Sequence, residues 1–290
     1  MPTFNTPEPI SVTLDLYIAD TQITAGDRAD TVVEVRPSNE SKASDVRAAE
    51  QTTIEYSDGK LLVKVPRPPG SLIGIGPGKS RSVDVRIELP AGSHLQGSSG
   101  LGGFYCEGRF GKCELKTGAG AIRLAHADAV RLNAGGGDIT VDRVAGHAEV
   151  TTAVGEVRIR QVDGTAVIRN SAGNCKIGEV TGDLRVKTSS GDILIDRAHA
   201  AVEAKTSAGK VQVGEVSRGS IVLESSAGAL EVGIREGTAA WLDAHSTSGS
   251  VRNLLEAFDV PEQANQTVEV RARTHIGDIV IRRSSLTSHE

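Results

Sequence analysis

Across residues 104–281 apolar and polar side chains alternate in short bursts, and the bursts recur about every 18 residues. The pairs Ile139/Val141, Val157/Ile159, Cys175/Ile177, Ile193/Ile195, Val211/Val213 and Leu230/Val232 keep period 2, which puts both members of each pair on one face of a strand. About nine residues away a second series does the same: Val130/Leu132, Ala148/Val150, Ala166/Ile168, Leu184/Val186, Val202/Ala204 and Ile221/Leu223. Between the two strands Val144, Val162, Val180, Ala198 and Val216 hold a common position. Gly102, Gly120, Gly137, Gly155, Gly173, Gly191, Gly209, Gly228, Gly249 and Gly277 each close a small polar triplet, as in TSSG, TSAG and SSAG. A glycine at the same place in each unit fits a tight corner that needs positive φ.

One repeat is therefore strand, corner, strand, corner. The predicted fold class is all-β: a single-stranded β-solenoid with 18-residue coils, two short strands per coil and an irregular N-terminal β cap. Residue i should meet residue i+18 in the next coil, about 4.7–4.9 Å away. The hexapeptide helix of acyltransferases also has 18-residue coils but needs an aliphatic residue every six. Counting sixes from Ile139 gives Ala145 and Thr151, and from Val157 gives Asp163 and Arg169, so that reading fails.

Outward positions test the register independently. Glu114, Arg131, Glu149, Val167, Arg185 and Glu203 would stack one per coil, and their signs alternate with one valine as spacer. Opposite charges across adjacent strands add about 0.2–1 kcal/mol per pair, whereas like charges repel. The column Arg143, Gln161, Glu179, Arg197 and Glu215 shows the same avoidance. The column Arg169, Lys187, Lys205 breaks the pattern, with Thr151 before it and Glu224 after. Three stacked cations are read first as solvated edge lysines and second as an attractant for an acidic partner.

The pattern loosens at both ends. Ile10–Ile18 alternates, Thr31–Val35 reads as a strand, and SDVRAAEQ from Ser44 predicts one or two helical turns with a serine cap. Tyr56-Ser-Asp-Gly59 is a hairpin signal, and Gly70–Ser80 reads as a loop. The expected organisation is opening coils and cap over 1–95, the regular solenoid over 96–283 with an insertion at 253–266, and a polar tail over 284–290. Leu254, Leu255, Phe258 and Val260 of the insertion are expected to fold against the body. Leu242 and Ala244 should point inward and Trp241 outward, packed under that insertion rather than standing free as a contact residue. The last repeat ends on Ile279, Val280 and Ile281 with no helical cap. An open terminal coil is a template for edge-to-edge association, so these three residues are the expected end-to-end contact of a homo-oligomer or filament.

Composition agrees with a repeat. The chain has 290 residues and 33 glycines against three Tyr, four Phe and one Trp, so many small aliphatic layers must fill its core. A net charge of −5 with no run of four or more Lys/Arg argues against nucleic-acid partners. No apolar run reaches 18 residues and the N-terminus lacks a basic start and an apolar core, so neither membrane insertion nor a standard signal peptide is expected, and the expected location is the cytoplasm. Three cysteines without metal-type pairing read as reduced thiols, with Cys113 and Cys175 on inward positions.

Candidate chemistry is sparse. The seven histidines form no HxH, HExxH or His/Cys cluster, so neither a metal nor a cofactor is expected. Asp138, Asp192 and Asp278 follow corner glycines, as do Glu156 and Asn174, but Ala121, Lys210 and Ala229 interrupt the series, and it reads as turn chemistry rather than a carboxylate pair.

Units such as KTSSGDILIDRAHAAVEAKTSAGKVQVGEV, the opening DTVVEVRP and the closing VEVRARTHIGDIVIRR resemble the bacterial adhesin-like β-solenoid repeat family called domain of unknown function 4097. The resemblance covers nearly the whole chain; it implies the fold and brings no catalytic residues. The expected function is a non-enzymatic structural or interaction scaffold that self-associates through its ends. The alternative is a binding module for a glycan or an acidic protein, using the Arg169/Lys187/Lys205 edge or the Trp241 region.

Overall fold

The computed structural model describes residues 1–66, 81–255 and 266–284, and the chain divides into two compact units, Met1–Asp142 and Arg143–Glu290. The Gly70–Ser80 loop, Phe258 and Val260 of the insertion, and the tail beyond Ser284 lie outside the described residues.

In the first unit the long strand Ser11–Gly26 is central. Its first half pairs in parallel with Lys60–Lys64 and its second half with Val83–Pro90. On its other side it pairs with His94–Leu101 and with the start of Phe104–Ala119. The strand that comes early in sequence is thus flanked by coils that come later. Phe104–Ala119 then carries Ile122–Gly136, with Phe104 opposite Ile122 and Cys113 opposite Val130 across a bulge. The coil made by Lys60–Lys64 and Val83–Pro90 is covered by antiparallel strands. Asp30–Pro37 lies along Val83–Pro90, Thr3–Asn5 along Asp30–Val32, and Thr53–Ser57 along Lys60–Lys64. The hairpin signal is realised there, with Asp58 and Gly59 both at positive φ, as a two-residue primed turn requires.

The helix predicted near Ser44 is Ala43–Glu50, packed on Asp30–Pro37 and Val83–Pro90. Its serine cap is not formed: Lys42 occupies the N-cap without a side-chain hydrogen bond. The buried Asp45 in the first turn instead accepts the Ser82 N–H at 3.1 Å and pairs with Lys42 at 3.3 Å. Capping gave way to tethering, because the carboxylate one residue later reaches the neighbouring strand.

The second unit consists of two parallel ladders. One stacks Ala148–Val154, Ala166–Ala172, Leu184–Ser190, Val202–Ala208 and Gly219–Ala227. The other stacks Val157–Val162, Cys175–Val180, Ile193–Ala198, Val211–Val216 and Leu230–Ile234. Ala166 meets Leu184 and Cys175 meets Ile193, which is the predicted i to i+18 register. The inward residues are buried almost completely, and each Val, Leu or Ile so placed stabilises the fold by about 1.5–3 kcal/mol.

Beyond Gly219–Ala227 the stacking order departs from the sequence order. Gly219–Ala227 pairs with Gln266–Ile276, and Gln266–Ile276 pairs on its other side with Thr238–Ser248. The second ladder agrees, with Ile279–Arg283 between Leu230–Ile234 and Val251–Asn253. Ile279 and Ile281 are each 1% exposed and Val280 sits between two strands, so these residues are not an open end, contrary to expectation. The coil whose second side has no strand partner among the described residues is Thr238–Asn253.

The inward residues explain the exchange. The later coil offers Val268, Val270, Ala272, Ile279 and Ile281, whereas the earlier one offers Leu242, Ala244, Val251 and Asn253. Burying the more apolar coil on both sides leaves less apolar surface at the open position. Leu242 and Ala244 point inward as predicted but are only half-buried there, and Leu254 is exposed.

Candidate functional site

The polar triplets of the corners have a structural use in the second unit. In five of the triplets the first residue turns inward and its polar group donates to the carbonyl of the corner glycine one coil away. Asn170 Nδ2 reaches Gly155 O at 2.9 Å, Thr206 Oγ1 reaches Gly191 O at 3.2 Å, and Ser225 Oγ reaches Gly209 O at 3.1 Å. Through the exchanged coils Thr274 reaches Gly228 O at 3.0 Å and Ser246 reaches Gly277 O at 2.8 Å. The acid or amide after the glycine does a similar job outside. Asn174 accepts the Asp192 N–H, Asp192 accepts the Lys210 N–H, and Asp278 accepts the Ser250 N–H, at 2.8–2.9 Å. These acids are coil-to-coil tethers; among the described residues no group of three or more His, Cys, Asp or Glu is placed to hold a metal ion.

Outside the first ladder, the register builds a charged column running Arg169, Lys187, Lys205, Glu224, Arg273, His245. The exchanged coil order decides the sequence of the last two members, placing Arg273 rather than His245 beside Glu224. Arg273 stands beside Glu224, from which it is 49 positions away in sequence. A neighbouring outward row carries Ser207, Ser226, His275 and Thr247. Together they line an open groove of about 520 Å³ that also includes Lys187, Lys205, Glu224, Arg273 and His245.

The cations are largely partnered. Arg169 pairs with Glu149 at 3.3 Å, Lys205 with Glu203 and Glu224 at 3.2 Å each, and Arg273 with Asp243 at 3.0 Å. Lys187 forms no ion pair among the described residues. The Glu203 carboxylate, followed by that of Glu224, holds the Lys205 ammonium above the ordinary lysine value. Lys205, followed by Arg185, holds Glu203 below the ordinary glutamate value. Exposed pairs of this kind contribute about 0–1 kcal/mol each, so they exchange partners at little cost.

Of the residues singled out from sequence, Lys187 and Lys205 line the groove, whereas Arg169 and Trp241 do not. Trp241 points outward as predicted but is 82% exposed, so it is not packed under a neighbouring segment. It stands across the ladder from Glu269 on the open coil. Sequence reasoning missed Arg273, His245 and His275: the corner glycines Gly228, Gly249 and Gly277 place them in the same columns as Glu224 and Ser226, but do not give the order in which the last coils stack. The available signal was the stronger apolar pattern of the later coil.

The three cysteines are free and buried. Burial pushes Cys113 up to about 12 and Cys175 up to about 11, and raises Cys106 well above the ordinary thiol value, so none is an activated nucleophile. The described residues contain no helix long and apolar enough to cross a membrane.

Three solved structures are similar to this chain at low identity: a putative adhesin from Parabacteroides merdae (12% identity, 97% of this chain and 94% of that one, TM-score 0.36), a putative adhesin from Parabacteroides distasonis (13%, 97% and 95%, 0.35), and a putative cell adhesion protein from Clostridium sporogenes (11%, 97% and 98%, 0.25). At these scores the likeness carries no argument about activity. No curated protein matches the chain. The family model Toastrack DUF4097 matches residues 10–217.

Proposed function

The chain belongs to the Toastrack DUF4097 family, and from that premise we propose that it is a non-enzymatic, adhesin-like interaction scaffold that pairs with a second copy of itself through the coil Thr238–Asn253. The observation that carries this reading is the open edge of that coil. Its long strand pairs on one side only among the described residues, and it leaves Leu242 and Ala244 half-buried and Val251 45% exposed. A strand with unpaired backbone groups and a partly bare apolar cross-section gains hydrogen bonds and burial from a matching edge.

The strand is also complementary to itself. In a twofold antiparallel pairing centred on Ala244, Asp243 faces His245 of the other copy, and Trp241 faces Thr247. No like charges meet directly. Such an isologous contact closes at two copies, so the expected assembly is a dimer rather than a filament. The non-enzymatic reading is supported by the use of the corner acids as tethers and by the protonated, buried thiols. Those thiols also suit the reducing cytoplasm, where we place the protein.

Analytical ultracentrifugation across a wide concentration range tests the assembly. The wild-type chain should shift from monomer to dimer, and Leu242→Lys and Val251→Lys should hold it as a monomer with unchanged circular dichroism. A wild-type monomer at the highest concentration, or dimers unaffected by either substitution, would remove this function.

A further inference from the structure

The groove on the outward face of the second unit carries three cations, Lys187, Lys205 and Arg273, that self-pairing does not use. We propose that it binds an anionic, carboxylate-bearing polysaccharide through Lys187, Lys205 and Arg273.

Three features select this ligand. Lys187 and Lys205 stand on adjacent coils and Arg273 two coils further along the same column, so positive charge recurs along a line that crosses the strands. A polymer bearing carboxylates at intervals can meet the whole line, whereas a single small anion can bridge Lys187 and Lys205 but cannot also reach Arg273 two coils further on. Each cation is half-buried or exposed, and the partners Glu203, Glu224 and Asp243 hold Lys205 and Arg273 by exposed pairs that a ligand carboxylate can replace. Lys187 has no ion-pair partner to displace among the described residues.

The second feature is the hydroxyl row. Ser207, Ser226 and Thr247 line the groove beside the cations, and Glu224 adds an acceptor between Lys205 and Arg273. A sugar chain presents hydroxyls that both donate and accept, so it can use these groups as well as the charges.

The third feature is the polarity of the lining, which among the described residues includes no aliphatic side chain and no Phe, Tyr or Trp. Single-stranded nucleic acid needs aromatic platforms for its bases, and the lining offers none among the described residues. An acidic peptide draws affinity from apolar pockets or from strand addition at an open edge, whereas the groove has no apolar pocket and its three cations stand on strands paired on both sides.

Affinity electrophoresis of the full chain through gels containing polygalacturonate, dextran, polyglutamate or single-stranded DNA tests the proposal. Polygalacturonate should retard the protein, less so as salt is raised, while neutral dextran leaves it unaffected. The paired substitution Lys187→Glu with Arg273→Glu should weaken retardation by at least about tenfold. Lys176→Glu, a charge reversal on the other ladder, should leave it unchanged. Leu242→Lys should also leave it unchanged, because it acts on the coil edge and not on this face, so failure of self-pairing and failure of the groove are read separately. Polyglutamate or DNA retarding the protein as strongly as polygalacturonate, or full retardation of the paired variant, would overturn the assignment.

Discussion

The backbone of the corner glycines carries two constraints at once. Gly209 sits at φ +144°, a conformation that side chains rarely adopt, and a Cβ there would stand 2.2 Å from the Gly191 carbonyl oxygen. That carbonyl is fixed, because it accepts the Thr206 hydroxyl. Neither the strain nor the clash can relax by a side-chain movement, so Gly209→Ala should destabilise the protein by about 3 kcal/mol. Gly136 also stands at a corner but has no atom within 4 Å of its would-be Cβ, and Gly136→Ala should stay within about 0.5 kcal/mol of wild type. Urea denaturation of the two variants checks this, and equal losses would refute the clash. The need for glycine at these corners was readable from its recurrence. Its cause was only half readable: positive φ follows from turn chemistry, whereas the oxygen that blocks a side chain belongs to another coil. The same limit applied to Asp192, whose partner, the Lys210 N–H, lies 18 residues away in sequence.

At the scale of the coil, strand periodicity and register were legible because they repeat. Every inward pair between Ala148/Val150 and Leu230/Val232 supports a spacing of 18 or 19 residues. Stacking order at the edge has no such redundancy, since the two coils concerned occur once each. The competing clue was burial value: Ile279 and Ile281 are better core residues than Val251 and Asn253, and they took the enclosed place. The exchange makes a direct prediction. Ile279 and Val251 face each other across one ladder step, with exposures of 1% and 45%. Ile279→Ala should cost about 2–5 kcal/mol, because it opens a cavity in an enclosed layer. Val251→Ala should cost less than about 1 kcal/mol, because little of that side chain is withdrawn from water. Stacking in sequence order would reverse the two, so thermal or chemical denaturation of both variants decides between the orders. The candidate groove inherits this result. Its Lys187–Lys205 part was legible from the regular repeats, whereas the placing of Arg273, and not His245, next to Glu224 depended on the exchange.

For the molecule as a whole, charge on the outside and thiols on the inside set opposite limits of pH. Glu203 is held below its ordinary value of 4.5 by Lys205 and then Arg185. Glu231 is also lowered: burial opposes its ionisation, but Lys210 and Arg282 outweigh it. Carboxylates depressed in the folded state contribute stability above their ordinary value and lose it as pH falls through their folded value, so an acid limb should begin below pH 4.5. The thiols act in the other direction. Burial raises Cys175 from 9.0 to about 11, against a hydrogen bond from Asn170 and with the Glu156 charge adding to it. Unfolding releases that thiol to ionise, so its contribution is complete below pH 9.0 and is lost as pH rises toward 11. Cys113 and Cys175 were readable as inward from the repeat, while Cys106 was not placed, because its neighbour Ile23 comes from the distant strand Ser11–Gly26. Stability should therefore hold between the acid limb and pH 9.0 and fall on both sides. Cys175→Val keeps an apolar group of similar size at the site and leaves the acid limb intact. It should remove on the order of 2 kcal/mol from the loss of stability between pH 9.0 and pH 11, measured as the difference between wild-type and variant denaturation free energies. An alkaline slope identical in the two proteins would mean that the Cys175 thiol ionises as freely in the folded chain as in the unfolded one.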